Sequence, residues 1–134
     1  MKKLLIFSLV CAFALTGLTV SAARPPKKGG PSLPAPSNFD ATTVSNSEID
    51  LTWQDNSDNE DGFKIERGLD GQSFSQIDTV SANVTSYEDT GLSDETTYYY
   101  RVRAYKRKNK KHTIHSDYSN TTSTTTYASS TPSN

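Results

Sequence analysis

The stretch TTYYYRVRAY, from Thr96 to Tyr105, decides the fold. In a β-strand, successive side chains point to opposite faces, so every second residue shares one environment. One face of this stretch carries Tyr98, Tyr100, Val102 and Ala104, and the other carries Tyr99, Arg101, Arg103 and Tyr105. This alternation predicts a strand of an antiparallel sheet with one covered face, and the hydroxyl of Tyr98 is expected to bond back to the preceding corner of the chain.

Residues 1–23 have the pattern of a secretory signal peptide. Lys2 and Lys3 precede an apolar run from Leu4 to Leu15, and small residues end the segment at Ala23. A retained membrane anchor is the alternative, but polar and small residues interrupt the apolar run after Leu15, which favours cleavage. We therefore expect a secreted or periplasmic protein, or one at the cell surface, with no membrane span in its mature form.

Cleavage at this point removes the single cysteine, Cys11, and leaves 12 basic against 15 acidic residues, a net charge of −3. A secreted domain without disulfides depends on its hydrophobic core, which requires most of the remaining chain. Residues 24–35, RPPKKGGPSLPA, are rich in Pro, Gly and Lys and predict a disordered linker. We expect one domain over residues 36–127, followed by a disordered tail over residues 128–134.

Short apolar alternations separated by turn-forming residues fill this domain, and they predict an all-β fold with seven strands. EIDLTWQ and GFKIER are the clearest of them, and a looser first strand contains Phe39, Ala41 and Val44. Asp70-Gly71 predicts a tight hairpin turn, because glycine tolerates the positive φ required there. Phe74 and Ile77 are three residues apart, so their strand requires a bulge or a different register. A final Thr-rich strand is expected to begin at Tyr118.

Four motifs occur in order along the chain, and together they resemble a fibronectin type III domain. They are Pro36-x-x-Phe39-x-Ala41-x-x-Val44, Ile49-x-Leu51-x-Trp53, Gly62-Phe63-x-Ile65-x-Arg67 and Leu92-x-x-x-Thr96-x-Tyr98-x-Tyr100-Arg101-Val102-x-Ala104. The segment WQDNSDNEDGFKIER is similar to the version found in bacterial secreted proteins. The resemblance implies a seven-stranded immunoglobulin-like β-sandwich, with sheet A-B-E against sheet C'-C-F-G. It implies a core that contains Trp53, Leu92, Tyr98 and Tyr100.

The sequence departs from the family pattern at two places. Asp94 stands where the family usually has proline, and Thr122, Thr124 and Thr126 stand where valines are common. These threonines predict a weak final edge strand.

Charge is distributed unevenly along the domain. Residues 40–95 contain fourteen acidic residues and two basic ones, whereas residues 101–111 contain seven basic residues and no acidic one. In the topology that the resemblance implies, the segment KRKNKKHTIHSD lies at the same end of the sandwich as the acidic segment DNSDNED. We expect residues 106–111 to form a mobile hairpin tip beside this acidic loop.

Two interpretations of the basic segment remain open. Charges at loop tips often serve only solubility, and exposed ion pairs contribute about 0 to 1 kcal/mol each. Alternatively, the segment binds an acidic polysaccharide or an acidic protein. Nucleic acid is disfavoured, because the body of the domain is acidic and the loop has no interleaved aromatic residues. The candidate binding residues are Arg101, Arg103, Lys106, Arg107, Lys108, Lys110 and Lys111.

Tyr99 and Tyr105, on the outward face of the same strand, are further candidates because tyrosine rings can stack on sugars. The alternative is that they pair with cross-strand neighbours such as Lys64 or Glu66.

Metal binding and catalysis find little support in this sequence. His112, His115 and Asp117 lie among cations, and the acidic loop Asp55–Asp61 lacks the spacing of a calcium-binding loop. No serine lies in a nucleophile motif, and no insertion could form a deep pocket. We therefore expect no metal, no cofactor and no enzymatic activity.

The sequence therefore predicts a monomeric, non-catalytic binding or adhesion module of the cell exterior. The alternative is a structural spacer or an accessory subunit of an extracellular enzyme, with no ligand of its own.

Overall fold

The computed structural model describes residues 32–130, which form eight β-strands. They are β1 (Ser37–Thr43), β2 (Glu48–Gln54), β3 (Gly62–Gly68), β4 (Ser75–Ser81), β5 (Ser86–Thr90), β6 (Thr97–Asn109), β7 (His112–His115) and β8 (Thr122–Thr125). No helix capable of crossing a membrane is found in this part of the chain. The predicted signal peptide, most of the predicted linker and the end of the predicted tail lie outside the described residues.

Two antiparallel sheets form an immunoglobulin-like sandwich. One sheet has the order β1-β2-β5, and the other has the order β4-β3-β6, with β7 and β8 both paired to β6. The predicted arrangement of A-B-E against C'-C-F-G is therefore confirmed. The strand count is eight rather than seven, because the last strand is divided.

Two serines explain this division. β7 pairs with the outer part of β6 from Tyr105 onward, and β8 pairs with its first residues, Thr97 to Tyr100. Between them, Ser116 Oγ accepts a hydrogen bond from the Ala104 amide at 2.9 Å, and Ser119 Oγ accepts one from the Val102 amide at 3.1 Å. Side-chain oxygens thus accept hydrogen bonds from two backbone amides of β6. The last strand begins only at Thr122, so the prediction that it begins at Tyr118 is wrong.

The core lies between the sheets and is built from the apolar faces of their strands. Trp53 packs against Phe39 and Phe63, with ring centroids 6.3 and 5.6 Å apart. Leu33 is also in the core at 7% exposure, although the sequence placed it in the linker, so the ordered domain begins before residue 36. Val44, predicted in the first strand, is exposed because that strand ends one residue earlier. The buried apolar residues include Ile49, Leu51, Ile65, Leu92, Tyr98, Tyr100 and Val102.

The connection from β3 to β4 contains both features that the sequence indicated. Asp78 pairs with Ile65 and Gln76 pairs with Glu66, so Ile77 is the extra residue of a bulge. The turn at Asp70-Gly71 has Gly71 at φ 69°, but it lies in a longer connection between Gly68 and Ser75 than a tight hairpin requires.

The corner before β6 is closed by Tyr98. The residue is buried, and its hydroxyl accepts a hydrogen bond from the Ser93 amide at 3.0 Å. This is the contact that the sequence predicted for Tyr98, and it ties the start of β6 to the chain that leads into it.

Candidate binding surface at the basic hairpin

The basic segment forms a β-hairpin in which β6 and β7 pair up to Asn109 and His112. At the turn, Asn109 Oδ1 accepts a hydrogen bond from the Lys111 amide at 3.0 Å. Lys106, Arg107 and Lys108 therefore lie on a strand, whereas the sequence placed them in a loop. This correction means that three of the cations are presented from strand β6 and two from the turn.

The acidic loop between β2 and β3 supports the base of this hairpin. The Asp61 amide donates to the Tyr105 carbonyl at 2.8 Å, and Asp61 Oδ2 accepts from the Arg107 amide at 2.7 Å. Lys106 Nζ donates to the carbonyl of Asn59. The two oppositely charged segments are neighbours, as predicted. Their contacts are mostly hydrogen bonds to backbone groups, so the acidic loop orders the hairpin without pairing the cations at its end.

Four cations are exposed around the turn, and we call Arg107, Lys108, Lys110 and Lys111 the basic tip. The ion pairs found within residues 32–130 are those of Arg67 with Asp89 and of Glu66 with two arginines, and none includes the basic tip. Several like charges on one hairpin create a positive potential that attracts anions. The basic tip is therefore the part of the predicted binding set that is accessible and takes part in no ion pair within residues 32–130.

Arg101 and Arg103 have a different role, because Glu66 pairs with both of them. Arg101 Nη2 and Arg103 Nη2 lie 2.7 and 3.5 Å from the Glu66 carboxylate. Tyr118 Oη donates to Glu66 Oε1 at 2.7 Å, and the Tyr118 ring lies 3.7 Å from the Arg101 guanidinium carbon. Glu66 thus offsets one of the two positive charges, and both arginines, which were candidate binding residues, are engaged in the structure of the sheet.

Glu66 is the organising residue of this cluster, and its role was not predicted from the sequence. Burial favours its neutral form, but hydrogen bonds from Tyr118 and Arg101 and the charges of Arg101 and Arg103 outweigh burial, so the pKa of Glu66 is lowered. The available sequence signal was the position of Glu66 on a strand next to an arginine-bearing strand.

The two outward tyrosines do not present open rings. Tyr105 is 7% exposed, with Lys64 Nζ at 5.6 Å and the Arg107 guanidinium carbon at 5.7 Å from its ring centroid. Tyr99 is half-buried and lies against Gly71, where an added Cβ would be 3.1 Å from its ring. Tyr105 therefore pairs with Lys64, the alternative to sugar stacking that the sequence allowed.

The histidines lie at the two ends of β7, His112 next to the turn and His115 at the base. Burial, with the charges of Arg103 and Lys64, lowers the pKa of His115, so its imidazole adds no charge to the surface at neutral pH. Within the described part of the chain, no three His, Cys, Asp or Glu side chains are grouped closely enough to hold a metal ion.

The sequence and the fold can be compared with known proteins. The fibronectin type III domain model matches residues 34–124. An amylopullulanase of Thermoanaerobacterium saccharolyticum is 41% identical over 63 residues, which are 46% of this chain and 5% of that enzyme. The chain thus spans only a small part of this relative.

Solved structures show the same fold at lower identity. A β-1,2-glucanase from Parabacteroides distasonis has a TM-score of 0.63 at 23% identity, over 75% of this chain and 13% of that one. An Fn3-like protein from Clostridium thermocellum has a TM-score of 0.56 at 24% identity, over 67% of this chain and 88% of that one. Since the family model covers most of the chain and the two-sheet topology agrees with it, the chain belongs to the fibronectin type III domain family.

Proposed function

We propose that this chain is a non-catalytic module of the cell exterior that binds an acidic polysaccharide through the basic tip. One observation carries the proposal, which is the presentation of four exposed, unpaired cations by an ordered hairpin within residues 32–130. A polymer with repeated carboxylates or sulfates offers the matching array of charges.

The expected binding is weak at each contact and strongly dependent on salt. An exposed ion pair contributes about 0 to 1 kcal/mol, and charges more than about 8 Å apart are screened at physiological ionic strength. Several contacts to one polymer chain act together, because after the first contact the others form at a high effective concentration. Retention by a polymer therefore supports the proposal better than affinity for a small anion does.

The amylopullulanase match favours a glycan over a protein as the partner. The match places a related segment inside a much longer enzyme whose name refers to polysaccharides. The proposed location outside the cytoplasm is supported by this match and by the signal-peptide pattern of residues 1–23.

The same match favours a second candidate, a spacer or accessory subunit of a polysaccharide-degrading enzyme. The matched segment makes up 5% of the amylopullulanase, so most of that enzyme lies outside the segment that this chain resembles. A spacer needs no ligand of its own, and a direct binding experiment separates the two candidates.

The experiment is salt elution from a column of immobilised polygalacturonate. The triple substitution K108Q/K110Q/K111Q is expected to abolish retention and leave the melting temperature nearly unchanged, because these side chains are exposed. The double variant K110Q/K111Q should elute at lower salt than the wild-type chain.

The matched control for K110Q/K111Q is K27Q/K28Q, which also removes two positive charges from adjacent lysines but outside the hairpin. It should elute with the wild-type chain. Equal losses for the two double variants would show that retention follows net charge alone, and unchanged retention of the triple variant would favour the spacer.

A further inference from the structure

A cavity lies at the opposite end of the sandwich from the basic tip. It has a volume of about 530 Å³ and is formed where β3 ends, with lining residues from the β3–β4 connection and from the corner before β6. Gly62 pairs with Tyr105 at the hairpin base, whereas Gly68 pairs with Tyr99 beside the cavity. The seven residues of β3 separate the base of the hairpin from the cavity by roughly 20 Å. We call this the end cavity.

Arg67 provides fixed hydrogen-bond donors at the end cavity. Its Nη1 donates to both oxygens of Asp89 at 2.8 Å, and its guanidinium carbon lies 5.4 Å from the ring centroid of Tyr98. Within residues 32–130, its side-chain hydrogen bonds all come from Nη1, so the N–H groups of Nε and Nη2 stay available. A guanidinium held by a carboxylate and an aromatic ring loses little side-chain entropy when it binds a ligand.

The charge of the end cavity selects against anions. Asp89 offsets the charge of Arg67, and Asp70 adds a carboxylate to the lining. Oδ1 of Asp70 is held by the amides of Gln72 and Ser73 at 2.9 and 2.7 Å, which leaves Oδ2 as an acceptor. The cavity thus combines strong donors and a strong acceptor without excess positive charge.

Hydroxyl groups and one apolar side chain complete the end cavity. Ser73, Ser75 and Thr96 contribute hydroxyls, which both donate and accept hydrogen bonds. Leu69 is 66% exposed at its edge, an unusual exposure for a large apolar side chain. A sugar ring has matching features, because it carries several hydroxyls and also an apolar face of C–H groups.

We propose that the end cavity binds a neutral hexose residue of a polysaccharide. Arg67 and Asp70 bond to sugar hydroxyls as donor and acceptor, and Leu69 contacts the C–H face. The volume of the cavity falls in the range of small-ligand sites. This site is separate from the basic tip and requires neither its charge nor an acidic ligand.

NMR titrations of the ¹⁵N-labelled chain with maltohexaose and with laminarihexaose test the proposal. We expect at least one probe to shift the amides of Leu69, Gly71 and Ser75, and hexagalacturonate to shift none of them. The Ser75→Tyr variant, which fills the cavity from an exposed strand position, should weaken binding at least tenfold. Leu69→Asn should weaken it less, and Val44→Asn, the same type of change at a distant exposed site, should not weaken it.

The triple variant K108Q/K110Q/K111Q separates this proposal from that of the basic tip. It should bind the neutral probe as the wild-type chain does, even if it has lost retention on polygalacturonate. The end-cavity proposal is overturned if neither neutral probe shifts these amides at millimolar concentration. It is equally overturned if Ser75→Tyr binds like the wild-type chain, or if the triple variant loses neutral-sugar binding.

Discussion

The hydroxyl of Tyr100 donates a hydrogen bond to Asp89 Oδ2 at 2.8 Å and thereby joins the two sheets across the core. Asp89 also accepts both contacts from Arg67, so one buried carboxylate connects β5 to β3 and to β6. Burial and the bond to Asp89 raise the pKa of Tyr100, which stays protonated as a donor. A buried charge is tolerated only when it is paired and hydrogen-bonded, and this one is.

Tyr100→Phe should lower the free energy of unfolding by about 1.5 to 3 kcal/mol, because a hydrogen bond to a charged group is lost. Chemical denaturation followed by tryptophan fluorescence measures the change. The control is Tyr99→Phe, since the hydroxyl of Tyr99 makes no hydrogen bond within the described residues. Equal midpoints for these two variants would mean that the bond to Asp89 contributes nothing to stability.

Tyr98→Phe should cost less, on the order of 1 kcal/mol. The hydroxyl of Tyr98 accepts a hydrogen bond from the Ser93 amide at 3.0 Å, and both partners of this bond are uncharged. The same denaturation experiment applies, with the effect expected to lie between those of Tyr99→Phe and Tyr100→Phe. A loss as large as that of Tyr100→Phe would contradict this order.

Trp53→Ala should lower the free energy of unfolding by about 3 to 5 kcal/mol, since it leaves a cavity between Phe39 and Phe63. Such a loss is a large part of the total stability of a domain of this size. The loss is measured as a fall in the melting temperature, followed by circular dichroism during heating. A melting temperature within a few degrees of the wild-type value would argue against Trp53 as a central core residue.

The period-two alternation was sufficient to predict most of the strands and much of the core, whereas the arrangement of the strands in two sheets came from the resemblance to fibronectin type III domains. Trp53, Tyr98 and Tyr100 are buried where the pattern places them, because every second side chain of a strand points to its covered face. Leu33 was missed because a single apolar residue among prolines has no period. Its burial depends on tertiary packing, which composition does not show.

The candidate site was harder to predict because charge pairing depends on neighbours across strands. Arg101 and Arg103 lie in the same run of basic residues as the cations of the basic tip. Glu66 pairs with both arginines, whereas no ion pair within residues 32–130 includes the tip. The partner is 35 residues from Arg101 in sequence, so composition alone does not reveal it. The cations of the tip are exposed, but the place of Arg107 and Lys108 on strand β6 was not predicted.

Acid should destabilise the domain partly through Glu66. Its pKa is lowered below the ordinary value of 4.5, so the folded state binds this proton less readily than the unfolded state does. The stabilisation of the folded state by ionised Glu66 is therefore complete above about pH 4.5, and it is lost as the pH falls through the lowered pKa. Denaturation midpoints of Glu66→Gln should depend less on pH in the acid range than those of the wild-type chain. The exposed Glu88→Gln should follow the wild-type profile, and an unchanged profile for Glu66→Gln would refute the assignment.

The order of the hairpin base should depend on Asp61, whose carboxylate accepts the hydrogen bond of the Arg107 amide at 2.7 Å. Asp61→Ala leaves that amide to water, so its hydrogen exchange should accelerate, while the buried amide of Val102 on the same strand keeps its protection. The matched control is Asp58→Ala, which removes an exposed carboxylate of the same loop that makes no hydrogen bond within residues 32–130. Amide exchange followed by NMR distinguishes the two variants. If Arg107 exchanges equally fast in both, the acidic loop contributes charge beside the basic tip without ordering it.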